Sequence, residues 1–349
     1  MGPIRFIIIR IYTTLINVHK RVSFSILVFE TQREKQRERE REMAELNEGA
    51  AAEVTSIFIY PIKSCRGISV SQAPISPTGF RWDRQWMVVN SKGRACTQRV
   101  DPRLALVETE LPNEAMFEGW EPNKNSYLVI RAPGMQALKV PLSKPSLTTE
   151  GISVWEWSGS AFDEGDEAAT WFSNYLGKPY RLVRFNEASE TRAVDPEYAH
   201  GYKVTFSDGY PFLVLSQGSL NALNTLLKEP ISVNRFRPNI LVDGCEQYAE
   251  DLWKEILINK SAFYGVKLCS RCKIPTINQE TAEMGSEPTQ TLKQFRSGQV
   301  LLPNKKQQGS VFFGQNMVCV DSLGQVKIIK VGDPVHVIKA VPSCAEAAA

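Results

Sequence analysis

The stretch Phe263-Tyr264-Gly265-Val266-Lys267-Leu268-Cys269-Ser270-Arg271-Cys272-Lys273-Ile274-Pro275 runs from a β-like apolar segment into a pair of thiols and stops on proline. Cys272 stands between Arg271 and Lys273, and positive potential from such neighbours favours thiolate over thiol. A thiolate is a nucleophile, a redox partner or a soft metal ligand. A dithiol redox centre wants a helix starting after its first cysteine. A strand-like run before the pair and Pro275 after it disfavour that geometry. Two buried structural thiols remain possible readings, as does one soft-metal ligand beside a spare thiol. Upstream, Arg235-Phe236-Arg237-Pro238-Asn239 is basic and carries an amide. Pro238 keeps Arg237 out of the helical region. Alternation along an extended segment then turns Arg235, Arg237 and Asn239 to one face. Two guanidiniums and an amide suit a phosphate or a polar heterocycle; a basic edge strand is the plain alternative. Together the two stretches predict a thiolate-ligated metal held by an anionic organic cofactor.

At 349 residues the chain has room for two domains, each able to bury its own core. A net charge of +3 gives no sign of a nucleic-acid partner. The seven cysteines are odd in number and, apart from Cys269 and Cys272, scattered, which fits a reducing compartment better than a disulfide framework. The three histidines lie far apart, so an imidazole-rich zinc site is not expected. Apolar runs near the N-terminus are broken by Arg10, Lys20 and Arg21, well short of the roughly 20 residues that a membrane span needs.

Residues 1–53 read as a leader without a fold. Met1 to Phe29 carries only basic charges, and Arg37-Glu38-Arg39-Glu40-Arg41-Glu42 then alternates. One reading is a mitochondrial presequence. The other is a stretch encoded by a GA dinucleotide repeat, with translation starting at Met43 and a cytosolic product. Residues 54–185 read as an all-β module closed by one helix. Strands are predicted at Val54–Tyr60, Gln85–Val89, Ala105–Thr109, Tyr127–Arg131, Val154–Trp157 and Tyr180–Phe185. Ala168, Trp171, Phe172, Tyr175 and Leu176 share one face of a helix over Glu167–Leu176. Residues 186–339 read as a second strand-dominated domain. Its helices are predicted at Ser216–Leu227 and from Pro288 to near Gly298. Its strands fall at Phe212–Leu215, Ile240–Val242, Phe263–Leu268, Val318–Val320 and Val335–Ile338. Residues 340–349 read as a disordered tail.

Three further motifs carry chemistry. In Pro61-Ile62-Lys63-Ser64-Cys65-Arg66-Gly67, Lys63, Ser64 and the backbone near Gly67 can hold a phosphate or merely form a solvated turn. In Arg81-Trp82-Asp83-Arg84-Gln85-Trp86, an ion pair can aim one guanidinium at an anion, or the arginines can pack on indoles. Thr97-Gln98-Arg99 adds donors on what reads as the next strand. Asp208, in Ser207-Asp208-Gly209-Tyr210-Pro211, is a turn former or a carboxyl able to deliver a proton.

Taken in order, these motifs resemble the MOSC superfamily, and more closely the mitochondrial amidoxime-reducing component family. The resemblance spans Val54 to Lys339. It also rests on Phe236-Arg237-Pro238-Asn239-Ile240, Tyr248-Ala249-Glu250-Asp251, Phe313-Gly314-Gln315 and Lys330-Val331-Gly332-Asp333-Pro334-Val335. It implies a β-rich α+β fold, with an N-terminal β-barrel-like domain followed by a β-barrel MOSC domain with a few helices. It implies that Cys272 binds molybdenum. Lys63, Ser64, Arg84, Arg237 and Asn239 would hold the pyranopterin of the molybdenum cofactor and its phosphate. Ser270 and Arg271 would contact the cofactor, and Asp208 would face the open side of the metal. The implied reaction is reduction of N-hydroxylated compounds such as amidoximes and hydroxylamines. The sequence has no haem or iron–sulfur cysteine pattern of its own. The resemblance therefore implies electrons from a b-type cytochrome and its NADH-dependent flavin reductase. Animal-type relatives carry an N-terminal membrane-anchoring helix with no counterpart here, so stable membrane anchoring is not expected. A carrier of molybdenum cofactor or sulfur, without small-molecule turnover, and a thiol oxidoreductase using Cys269 and Cys272 are the alternatives.

Overall fold

Ala52–Ile59 sends Val54, Ile57 and Ile59 inward. A register shift between Val54 and Ser56 absorbs the one-residue slip in its alternation, as a bulge does. In the computed structural model, which describes residues 49–303, 308–320 and 327–347, this strand pairs on one side with Ile240–Asp243 and on the other with Pro334–Ala340 and Ile68–Val70. It thereby closes a seven-stranded barrel. The remaining barrel strands are Phe212–Ser216, Phe312–Cys319, Ser261–Ser270 and Trp253–Ile258. Closure leaves these strands without open edges, which would otherwise invite pairing with other chains. One barrel pair is parallel, Phe212–Ser216 with Ile240–Asp243, and the helix Gln217–Asn224 lies in its crossover. Gly265 is required where its strand crowds a neighbour: a Cβ there would meet the Trp253 carbonyl oxygen at 1.9 Å.

Beside the barrel lies a four-stranded sheet of Trp86–Asn90, Tyr180–Phe185, Trp157–Asp163 and Thr148–Val154. One face buries Met87, Val89, Val183 and Phe206. The helix Asp166–Leu176 buries Ala168, Trp171, Phe172 and Leu176 and ends on Gly177 in the left-handed conformation. The main core is continuous between the halves. It joins Ile57, Trp86, Leu128 and Phe172 to Phe212, Ile256 and Val335. The β-rich class predicted above is the one observed, with five α-helices among the described residues.

Several local expectations change. Ala105–Thr109 is not one strand: Asp101 caps a 3-10 helix over Pro102–Leu106, and a strand follows only at Glu108–Glu110. Trp155 and Glu156 turn a hairpin where a strand is predicted. The helix from Gln217 ends at Asn224, whose side-chain amide accepts from Ile231 N and donates to Ile231 O instead. Helix Thr289–Phe295 stops before Gly298, and a short helix Gly298–Leu301 follows. The tail predicted to lack structure forms a short helix over Cys344–Ala347. Cys344 and Ala345 pack against Leu268, Leu302 and Phe312, so apolar contact orders it. Of the leader read over residues 1–53, Ala52 and Glu53 already belong to the first strand, and residues 1–48 lie outside the described residues.

One buried ion pair ties the 289–301 region to the barrel. Arg296 donates to the Asp251 carboxylate and to Phe312 O, and stacks 4.6 Å from the Tyr248 ring centroid. Both side chains are nearly inaccessible. Removing one member of such a pair strands the other charge, at a cost of about 3–5 kcal/mol. Arg296→Ala should therefore lower the thermal midpoint by several degrees, read by calorimetry. Arg296→Met paired with Asp251→Leu should recover most of the loss.

Candidate functional site

The loop leaving the first strand sets the floor of a polar cleft. Tyr60 N donates to Asp83 Oδ1 at 2.8 Å, and Tyr60 OH donates to Pro238 O at 3.0 Å. This fixes the Tyr60 ring between two guanidiniums, with Arg84 at 4.2 Å and Arg237 at 4.3 Å from its centroid. Burial pushes the Tyr60 hydroxyl up to about 12, although Arg237 and Arg84 pull the other way, so the ring stays neutral. Gly67 is needed at the end of this loop because a Cβ would come within 2.5 Å of the Tyr60 ring.

Three cleft residues adopt left-handed backbone conformations that side chains of their type rarely take: Ser64 (φ 68°), Arg84 (φ 49°) and Arg237 (φ 56°). At Arg237 this breaks the extended alternation expected from Pro238. Arg235 points away and donates to Pro275 O at 3.1 Å, while Arg237 turns into the cleft. Arg237 is only 8% exposed, and among the described residues its side chain stacks on the Tyr60 ring and forms no ion pair. Arg84 is held by Asp83 Oδ2 and by Asn239 Oδ1 at 3.1 Å. Within the Arg81–Trp86 motif the ion pair is Arg84 with Asp83, and Arg81 packs on Trp82 and Trp120.

Opposite, Lys63 is buried and donates to Asp208 Oδ1 at 2.5 Å and Phe206 O at 2.8 Å. Burial lowers the Lys63 pKa and Asp208 raises it by less. Enclosure in the cleft raises the Asp208 carboxyl, but Lys63, with Arg99 and Arg84 beyond it, holds it well below the usual carboxylate range. Its side chain is 64% exposed, so this enclosure is that of a cleft wall and solvent tempers it. Arg192 lies beneath, donating to the carbonyls of Thr205, Ser207 and Asp208.

The third wall is the end of strand Ser261–Ser270. Arg271 donates to Cys269 Sγ at 2.9 Å and to Phe236 O at 2.8 Å. Burial pushes the Cys269 thiol up, and Arg271 offsets this only in part. Cys272 Sγ accepts from Ile274 N at 3.5 Å and lines the cleft, half-buried. Among the described residues, no group of three or more His, Cys, Asp or Glu side chains is arranged to hold a metal.

Of the residues singled out from sequence, Lys63, Ser64, Arg84, Asp208, Arg237, Ser270, Arg271 and Cys272 line this one cleft. Asn239, expected to hold a cofactor as well, is not among the residues that line it. It is 2% exposed, and its amide is spent on Arg84, Leu213 N and Phe58 O. Thr97 and Arg99 do line the cleft, from a turn and not a strand. Sequence reasoning missed Arg192 and Trp155, whose Nε1 donates to Asp208 Oδ1 at 3.3 Å. Arg192 lies in a two-residue strand with no motif around it, and nothing local marks either residue.

Residues 51–179 match the family model described as MOSC N-terminal beta barrel domain, and residues 201–336 match MOSC domain. The chain is 35% identical over 297 residues to mitochondrial amidoxime reducing component 2 of Rattus norvegicus, covering 81% of this chain and 82% of the relative. It is 34% identical over 295 residues to mitochondrial amidoxime-reducing component 1 of Homo sapiens, covering 82% of each. The chain belongs to the MOSC family, in its amidoxime-reducing-component branch. A more distant match, 29% over 280 residues, is molybdenum cofactor sulfurase of Danio rerio, covering 72% of this chain and 31% of that one. The MOSC range contains most of the barrel, but the closing strand Ala52–Ile59 comes from the N-terminal range. The cleft is likewise shared: Lys63, Ser64, Arg84 and Arg99 come from the MOSC N-terminal range, Asp208, Arg237 and Cys272 from the MOSC range. No helix among the described residues of this MOSC protein is long and apolar enough to cross a membrane.

Proposed function

We propose that this MOSC protein is a molybdenum-cofactor-dependent enzyme that reduces N-hydroxylated compounds, amidoximes and hydroxylamines among them. The observation that carries the reading is the cleft's donor set: five cationic side chains, Lys63, Arg84, Arg99, Arg237 and Arg271, and two half-buried thiols, Cys269 and Cys272, against one carboxylate. That set fits the cofactor. Among the described residues, Arg237 is buried without an ion-pair partner, and Arg271 Nε and Ser207 Oγ are buried without hydrogen-bond partners. Such groups call for an acceptor-rich anion, which a pyranopterin phosphate supplies. Cys272 offers the soft ligand that molybdenum takes. The names of the relatives support the reaction class.

When bound, the cofactor supplies a two-electron centre for removing oxygen from an N–O bond. Converting N–OH to N–H consumes two electrons and two protons and releases water. The chain's own part is to hold the anion and to keep a proton near the N–O group. Lys63 Nζ donates to Asp208 Oδ1 at 2.5 Å, so the pair holds a shared proton at the edge of the cleft. The electrons come from a b-type cytochrome served by an NADH-dependent flavin reductase. The relatives' names support a mitochondrial setting, and import of a fluorescent fusion of residues 1–50 tests it.

Asp208→Asn separates enzyme from carrier. A carrier needs only affinity, and a carboxylate beside an anion opposes binding. The variant should retain molybdenum and lose about tenfold or more in kcat with a saturating electron donor, the scale of acid–base contributions. Asp208 raises the Lys63 pKa, so its removal should also move the alkaline limb of kcat to lower pH. Normal turnover and an unmoved limb would leave Asp208 a turn former. If the wild type, fully loaded and supplied with reduced cytochrome, turns over no amidoxime or hydroxylamine, the carrier reading replaces this one.

A further inference from the structure

Trp155 is exposed beyond what its size warrants. It sits at the tip of the hairpin joining Thr148–Val154 to Trp157–Asp163. Its φ of 54° is the one that the first residue of a two-residue hairpin loop takes, and it points the side chain off the hairpin tip. The indole is 46% exposed yet fixed. Nε1 donates to Asp208 Oδ1 at 3.3 Å, and the Arg99 guanidinium lies over the ring at 4.2 Å. Lys63 Nζ lies 5.8 Å from the same ring centroid, so among the described residues the ring's contacts are cationic and none is an aromatic or aliphatic stack. Beside the indole opens a cavity of about 610 Å³, walled also by Arg94, Ala95, Val100 and Trp157. It shares Thr97 and Arg99 with the polar cleft. Val100 is 67% exposed. Two large apolar side chains that the fold leaves in water thus line the same cavity, next to the Lys63–Asp208 end of the cleft. The volume lies within the range of sites for small organic molecules.

We propose that this cavity docks the flat, π-rich part of the substrate. Trp155 supplies the stacking face, and the attached N–OH group reaches toward Asp208. The proposal rests on the reductase reading for the identity of the reacting group. Trp155 is here a specificity determinant, acting on the portion of the substrate that does not react.

Benzamidoxime and acetamidoxime carry the same reacting group on a ring and on a methyl, so their kcat/KM ratio isolates the docking contact. Any effect of losing the indole N–H on Asp208 falls on both compounds and cancels. Trp155→Ala should lower the ratio about tenfold through KM for benzamidoxime, a loss of the size expected for an aromatic contact with its buried area. Trp155→Phe, which keeps a ring but no N–H, should restore most of it, and molybdenum content should match wild type in both. A ratio unchanged in Trp155→Ala, or one that Phe fails to restore, overturns the proposal. Calorimetric titration of benzamidoxime reads the same contact without turnover. Binding by wild type that weakens about tenfold in Trp155→Ala, with neither compound reduced, keeps the docking site and rejects the reductase reading. Absence of benzamidoxime binding to wild type rejects the docking site.

Discussion

Cys272→Ala is expected to purify without molybdenum and without reductase activity, while Cys269→Ala keeps the metal and a substantial part of the activity. Both sulfurs border the cleft, so position alone does not separate them. Their partners do. Cys269 Sγ receives an Arg271 N–H at 2.9 Å, and burial favours its neutral thiol. Among the described residues Cys272 Sγ receives the long contact from Ile274 N at 3.5 Å and no other, which leaves its lone pairs available to a soft metal. Metal analysis by mass spectrometry, the Mo–thiolate spectroscopic signature and turnover of an amidoxime read the outcome. Equal loss from both substitutions would support a dithiol centre. Retention of metal in Cys272→Ala would remove the ligand assignment.

Arg237→Ala should come out with a substoichiometric amount of molybdenum and a normal fold. Among the described residues, Arg237 is buried against Tyr60 without an ion-pair partner. Losing one charge-assisted contact to a buried phosphate costs roughly 1.5–3 kcal/mol, about ten- to a hundred-fold in affinity. A buried guanidinium without a counter-charge is itself costly to the fold. The metal-free variant should therefore melt no lower than metal-free wild type, which separates an anion-holding role from a structural one. Arg84→Ala should lose cofactor as well but also melt lower, because it leaves Asp83 buried without its ion pair. Full molybdenum occupancy in both variants would dismantle the anion site.

Much of this protein was legible one segment at a time. Apolar periodicity gave the helix at Asp166–Leu176 almost to the residue, because Trp171, Phe172 and Leu176 bury one face and Gly177 stops it. The apolar run into Cys269 read as a strand for the same kind of reason: alternate residues of Ser261–Ser270 enter the core. Side-chain chemistry was also legible. Lysine, arginines and a cysteine in short punctuated loops implied a soft metal and an anion before any geometry was known.

Where those residues meet was not legible, since contacts such as Lys63 with Asp208 and Arg84 with Asn239 span 145 and 155 residues. Nor was the backbone at Ser64, Arg84 and Arg237, which turns left-handed against local preference. That conformation persists because Tyr60, pinned to Asp83 and Pro238, holds both guanidiniums to its ring. It aims Arg237 into the cleft and leaves Asn239 behind it. Sequence alone determined the β-rich class and the kinds of group available, because burial periodicity and side-chain chemistry are local properties. The tertiary structure decided which groups face one another, because barrel closure by Ala52–Ile59 brings distant loops into one wall and can hold backbone angles that no local propensity favours.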